Sequence, residues 1–306
     1  MSPLYSPQNP RLIPAACLII LLGLVEVGIV WRIHSLGDTA AAEELAVAAS
    51  ATPSPSPTLT PSPSPISTPS PTAVSTPATL YLADRKAAIE AVLAQYSTDR
   101  WGLQLMDLSD GEQLSLNGDS TFTAASTTKL ITACAYLQQV QAGNFSLDDQ
   151  LGDYSAEFQL EQLVNQSNND SWDEFYGLLG LDEISQYAKS IGLTQFDINA
   201  NTDSPADLAL LLRKLYTGEL LNSTYTTQLL SYMQDTEEER FLPSGISSQT
   251  TLYHKIGLLG DNVHDVGIIV LPGRTLVAAI YSNGNGSADY DNRASAFTSI
   301  GKLLTN

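Results

Sequence analysis

The sequence predicts an α/β (α+β) fold, in which an antiparallel sheet built from both ends of a domain is flanked by helices and carries an inserted all-helical lobe. Three observations predict it. Alternating apolar residues bracket the turn pair Asp110-Gly111 near the start of the domain, strand-like runs return after Thr251, and the stretch from about 145 to 240 reads only as short helices.

Composition delimits the domain within the 306 residues. Leu12 to Trp31 is almost wholly apolar and long enough to cross a hydrocarbon core, so it predicts a retained signal-anchor helix after a short cytoplasmic N-terminus, residues 1–11. Glu26 interrupts the run and is placed near the far interface. Arg11 and Arg32 nearly balance the flanking charge, so orientation rests on the short N-terminus staying inside. Ala15-Ala16-Cys17 faintly resembles a lipidation site, but the apolar run follows Cys17 instead of preceding it.

Residues 32–79 form the linker. Its part from Thr52 to Pro77 repeats Thr, Ser and Pro, which cannot build a core and favours a polyproline stalk of roughly 80 Å at full extension. The expected arrangement is a single-pass protein of the bacterial inner (plasma) membrane with residues 80–306 on the extracytoplasmic side.

That domain is long enough to bury a sizeable core. The formal net charge of −19 lies almost entirely within it, which argues against binding a phosphate backbone, so no nucleic-acid partner is expected. Cys134 is the domain's single cysteine, which excludes an internal disulfide there. The sequence is silent on oligomeric state.

Within the domain, Leu82, Ile89, Val92, Leu93 and Tyr96 share a helical face and predict a helix over 82–97. A hairpin follows around Asp110-Gly111. From Ser126 the period turns helical, with Leu130, Ala133, Cys134, Leu137 and Val140 as an apolar stripe ending near Gly143. Helices are expected over 182–192, 204–218 and 222–234, then strands over 251–257, 266–271 and 275–281 with Pro272-Gly273 as a turn. A closing helix carries Ala294, Phe297, Ile300 and Leu303. A cleft between sheet and helical lobe is the expected site.

Ser126-Thr127-Thr128-Lys129 sets a hydroxyl and an amine three residues apart, on one face of a helix. Ser299-Ile300-Gly301-Lys302 has the same form and reads as part of the closing helix. The first instance differs because Ser167-Asn168-Asn169 and Lys255-Ile256-Gly257 follow it, each at an element boundary. In that order, the three segments resemble the S-x-x-K, S-D-N and K-T-G marks of the class A β-lactamase and penicillin-binding-protein superfamily. The resemblance extends to Gly143–Asp149, Asn201–Leu215 and His264-Asp265-Val266-Gly267, and covers about residues 85–304.

The resemblance implies a β-lactamase/transpeptidase-like fold and acyl transfer to Ser126, the nucleophile. Lys129 would be its base, for which an amine near pKa 10.4 must fall by about three units, within reach of burial and a second cation at Lys255. Ser167 would relay the proton, Asn169 would bind the substrate amide, and the N–H groups of Ser126 and of Leu258, just after Gly257, would hold the oxyanion. No cofactor or metal is expected.

Three departures qualify this. Asn168 replaces the family aspartate. Ile256 replaces a threonine whose hydroxyl would bind the substrate carboxylate, a loss of about 1.5 to 3 kcal/mol, so restoring threonine is expected to raise acylation about tenfold. No glutamate occurs between Ser190 and Pro205, where class A enzymes carry the base that activates the deacylating water; only Asp197 and Asp203 stand there as substitutes. His254 and His264 fit neither a metal helix nor a Gly-x-Ser-x-Gly elbow and read as structural or surface residues, and Asp265 as support for the sheet. Three functions stay open: a hydrolase of β-lactams or cell-wall peptides; a penicillin-binding or sensor module acylated without turnover; or a lapsed peptidoglycan-binding domain. A sensor needs a cytoplasmic output, for which residues 1–11 are short, and retention of Ser126, Lys129, Ser167 and Lys255 together weighs against a lapsed site.

Overall fold

The computed structural model describes residues 80–306. The expected cytoplasmic N-terminus, membrane helix and proline-rich linker lie outside the described residues; among these, no helix is long and apolar enough to cross a membrane.

The chain opens with α1 (Tyr81–Ala94), then the hairpin β1 (Arg100–Asp107) and β2 (Gln113–Leu116). Its register pairs Leu103 with Leu116 and Leu105 with Leu114, the four leucines whose alternation predicts it. Gly111, at φ +82°, supplies the left-handed turn position that a side chain would strain. After the short β3 (Phe122–Thr123), a 3-10 turn (Ala125–Thr128) leads into α2 (Lys129–Gln141). Every α2 residue from Lys129 to Leu137 is buried, so this helix is the centre of the helical lobe.

The lobe continues through the two-residue strands β4 (Gln150–Leu151) and β5 (Tyr154–Ser155), α3 (Ala156–Val164), α4 (Asn169–Leu179) and α5 (Leu181–Ser190). β6 (Thr202–Asp203) pairs with β3. Next come α6 (Pro205–Tyr216) and α7 (Ser223–Tyr232). Helix starts follow local chemistry: the side chains of Ser155, Asn168, Ser204 and Asn222 each accept from a backbone amide three residues on, and Pro205 occupies the first turn of α6.

A long three-stranded meander closes the sheet, β7 (Thr251–Leu259), β8 (Asn262–Leu271) and β9 (Arg274–Asn283), before α8 (Tyr290–Thr305). The sheet order is β2-β1-β9-β8-β7, antiparallel throughout, so first and last segments of the domain lie side by side and the helical lobe is an insertion between β2 and β7. Strand alternation divides the sheet into two faces. Val266, Ile268, Val277, Ala279 and Tyr281 face the lobe and join its apolar cluster. Leu103, Leu105, Ile256, Val263, Ile269 and Ile280 face the other way and form a second cluster with Phe297 and Ile300 of α8. β7 is an edge strand, and Lys255 and Gly257 lie on it.

Candidate active site

Ser126 lies in the 3-10 turn just before α2 and is partly exposed, while Thr127, Thr128 and Lys129 behind it are buried. The residue before it, Ala125, has φ +56°, a left-handed conformation costly for a side chain and sustained by the packing around it. Ala124 N donates to Asn201 O at 2.9 Å, and Thr127 Oγ1 donates to Ala124 O at 2.7 Å. Beneath the turn, Thr127 Oγ1 and the Tyr281 hydroxyl lie 2.9 Å apart. His264 Nε2 donates to Thr123 O at 2.7 Å, and its ring stacks on Tyr281 at 3.9 Å. Burial brings His264 down to about 4, so it is a neutral donor that anchors the approach to Ser126.

Lys129 and Lys255 converge on Ser167. Lys255 Nζ donates to Ser167 Oγ at 2.8 Å and to Ile256 O at 3.0 Å. Lys129 Nζ donates to Ser167 O, to Asn169 Oδ1 at 2.7 Å and to Ser167 Oγ at 3.5 Å. None of these bonds reaches Ser126: the three protons of the ammonium face Ser167 and Asn169, and losing one frees a lone pair. Ser167 itself has φ +52°, which turns its backbone carbonyl and hydroxyl towards the two amines. Asn168 accepts from Ser171 N at 2.9 Å as the cap of α4, so the departure from the family aspartate falls on a structural position.

Burial lowers both amines. Lys129 falls to about 8, with Glu237 and Asp173 opposing the shift. Lys255 falls to about 7, through burial and then the neighbouring charge of Lys129, against Glu237 and Asp265.

Gly257 lets β7 approach the turn that carries Ser126. A Cβ there would stand 3.0 Å from Ala124 O and 3.3 Å from Ser126 N. His254 N donates outward, off the sheet edge, to Met233 O at 2.7 Å. By the two-residue period of the strand, the amides of Ile256 and Leu258 point the same way, which directs Leu258 N–H towards Ser126. The structure thus brings Ser126, Lys129, Ser167, Asn169, Lys255, Gly257 and Leu258 to one place.

Three sequence expectations are corrected. Ile256 does not line the site: alternation turns it to the other face of the sheet, where it is 2% exposed within the cluster that includes Leu242 and Phe297. Asp203 is no candidate for a water-activating base, because it is wholly buried under the Ser126 turn near Thr127 and Tyr281, and burial holds its carboxyl well above the usual carboxylate range. Asp197 is exposed and accepts the amides of Asn199 and Ala200. The polar side chain this loop extends to the start of α2 is Asn201, whose Oδ1 accepts from Thr128 Oγ1 at 3.3 Å. Ser299, of the second Ser-x-x-Lys, bonds to Ser295 O at 2.8 Å within α8.

Sequence reasoning missed what stands behind Lys255. His254 is 1% exposed, with Nδ1 at 2.9 Å from Asp265 Oδ1 and Nε2 at 3.1 Å from Glu239 Oε1 and 3.0 Å from Thr236 Oγ1. Burial alone would push His254 down, but Asp265 and Glu239 outweigh it and hold the ring at about 9, so at neutral pH it is an imidazolium donating from both nitrogens. A hollow of about 520 Å³ opens on this pair from the side of Ser247–Thr250 and does not contain Ser126.

Comparison with known proteins gives the family and the fold. A family described as the β-lactamase enzyme family matches residues 84–306. The chain belongs to that family. β-Lactamase OXY-2 of Klebsiella oxytoca is 22% identical over 250 residues, 70% of this chain and 86% of that protein. The solved structure of PBP-A superposes with a TM-score of 0.69 at 26% identity, covering 73% of this chain and 95% of that one. A variant of PBP-A solved as an acyl-enzyme complex with penicillin G gives 0.67 at 25% identity, covering 73% of this chain and 95% of that one. The fold is accordingly that of the class A β-lactamase and penicillin-binding-protein superfamily, and the chain is a β-lactamase-like serine hydrolase by family.

Two outcomes follow for the edge strand. Ile256→Thr is expected to bury a hydroxyl in an apolar cluster and cost about 1 to 3 kcal/mol, without the gain in acylation that the motif alone suggests; denaturant unfolding and labelling by a β-lactam read the two effects separately. For His254→Gln, the folded-state pKa near 9 lies above the ordinary 6.5, so the stability given by the proton is fully present below about 6.5 and lost as pH rises through about 9. The deficit of the variant should therefore be greatest at pH 6 and shrink by pH 10; an equal deficit at both would show that His254 carries no proton.

Proposed function

We propose that residues 80–306 form a serine acyl-transfer hydrolase that takes a β-lactam or a cell-wall peptide amide and forms an acyl-enzyme through Ser126. The observation that carries this reading is the convergence of two buried amines on one hydroxyl, Lys129 and Lys255 on Ser167, beside a serine at a helix start. A buried amine lowered to about 8 suits the base for a serine hydroxyl, since its neutral form is populated near neutral pH. In this scheme Lys129 accepts the proton of Ser126 as Oγ attacks the carbonyl carbon. Ser167 then passes a proton from the amines to the leaving nitrogen. The amides of Ser126 and Leu258 stabilise the oxyanion, and Asn169, whose Oδ1 is taken by Lys129, offers its amide N–H groups to the substrate.

Hydrolysis of the acyl-enzyme has different requirements. The loop that carries a glutamate in class A enzymes here presents Asn201, while Asp203 is buried beneath the turn. Without general-base assistance worth about 10² to 10⁴ in rate, the adduct should be long-lived. The expected outcome with a fluorescent penicillin is a stable adduct on Ser126 alone, absent in Ser126→Ala, forming faster as pH rises through about 8. Label on Ser167 or Ser299 would refute the assignment of the nucleophile. Fast nitrocefin turnover with no adduct detectable by intact mass would show a base elsewhere.

We also propose that residues 12–31 anchor the chain in a bacterial plasma membrane and that the Thr/Ser/Pro stretch holds the domain on the extracytoplasmic side, on the strength of the apolar run and the proline repeat. The full chain should then sediment with membranes, whereas a chain beginning at Leu80 should stay in the soluble fraction and label with penicillin at the same rate. Equal partition of the two would remove the anchor.

A further inference from the structure

The segment from Met233 to Leu242 is strapped across the site from both sides. On the lobe side, Asn165, two residues before Ser167, donates from Nδ2 to Gln234 O at 2.8 Å, Tyr232 O at 3.2 Å and Asp235 O at 3.4 Å. Its own carbonyl accepts from Glu237 N at 3.2 Å. On the sheet side, His254, one residue before Lys255, holds the segment through Met233 O, Thr236 Oγ1 and Glu239 Oε1, and Leu242 N donates to Asp265 Oδ2 at 3.0 Å. Asp235, at φ +49°, makes the sharp turn that fits the strap between these clamps. Residue 237 is thereby fixed between the segments that bear Ser167 and Lys255.

Three glutamates stand in sequence there, and they differ. Glu239 is matched by the His254 imidazolium at 3.1 Å, and Glu238 by Arg240 at 2.9 Å. Glu237 has no salt bridge among the described residues and is exposed, and with its backbone tied to Asn165, two residues from Ser167, its charge opposes the lowering of both Lys129 and Lys255. The other charges facing these amines are Asp173 from α4 and Asp265 from β8, the latter engaged with His254. A substrate anion entering beside Ser126 would seek the same two amines that Glu237 already faces.

We propose that Glu237 is a specificity-determining residue, which disfavours acyl donors bearing a free carboxylate on the leaving-group side and favours those that are neutral or cationic there. This rests on the acyl-transfer reading above and deepens it. The cause is Coulombic: a carboxylate whose backbone is anchored at the partly exposed mouth of the site repels a second one and offsets the pull of amines already partly neutral.

Two thioesters that differ in one charge test it, an N-acyl-D-alanyl thioester of thioglycolate and the methyl ester of the same compound. Ser126 Oγ forms the new ester bond as the carbon–sulfur bond breaks, and the leaving group takes up the serine's proton as a thiol. Acylation of Ser126 is followed by intact mass in the native protein and in Glu237→Gln. The expected result is that Glu237→Gln raises kcat/KM for the free acid about fivefold relative to the methyl ester, a gain that shrinks in about 1 M salt because the carboxylate is solvent-screened. Glu237→Asp, which keeps the charge, should retain the native preference. Adducts whose free-acid to methyl-ester ratio is the same in native protein and Glu237→Gln would overturn this inference alone. No adduct from either thioester in either protein would overturn both it and the reading on which it rests.

Discussion

The site depends on holding two lysine side chains, almost fully buried, around one serine hydroxyl. Nearly every feature around it contributes to that placement. Desolvating an ammonium is costly, and the cost is met here by polar partners: Ser167 and Asn169 for Lys129, Ser167 and the Ile256 carbonyl for Lys255. What those partners do not offset appears as lowered affinity for protons, which suits an amine to accept one from a hydroxyl. Burial is the larger cause for both amines, and the charge of Lys129 adds to it at Lys255.

Packing then fixes where the amines stand. Lys129 begins a helix buried along most of its length, so it cannot move without disturbing the lobe. Lys255 sits on an edge strand that Gly257 allows to lie against the Ser126 turn, and the strap of residues 233–242 secures that strand from outside. His254 completes the support by turning its charge to the opposite face, towards Asp265 and Glu239. An imidazolium between two carboxylates at the sheet edge can therefore stand one residue from an amine of lowered proton affinity, because strand alternation separates them.

Alternation also explains why one motif position misleads. Read as a string, Lys255-Ile256-Gly257 presents three neighbouring residues, and an isoleucine at the middle looks like a lost substrate contact. In the strand, Lys255 and Gly257 face the Ser126 turn while Ile256 fills the cluster beneath α8. The loop before α6 misleads similarly. Asp203 is a carboxylate at a suggestive place in the chain, but pairing of β3 with β6 draws it under the Ser126 turn, out of reach of solvent.

The amino-acid sequence by itself determined the elements and most of the residues that gather at the site. Apolar periods marked the hairpin register, the buried helix after Ser126, the three long strands and the closing helix, because local period reports which face is buried. Spaced motifs marked Ser126, Lys129, Ser167, Asn169 and Lys255, because their residue types are adjacent in the chain. Tertiary structure alone decided the rest: the clamp at Asn165, the imidazolium at His254, the burial of Asp203 and the tie of the Glu237 backbone to Asn165. In the sequence, Glu237-Glu238-Glu239 is an undifferentiated acidic run. The three acquire different roles only where the folded chain sets one against an imidazolium, one against an arginine and one against neither, since charge is a property of residues but electrostatic environment is a property of distances.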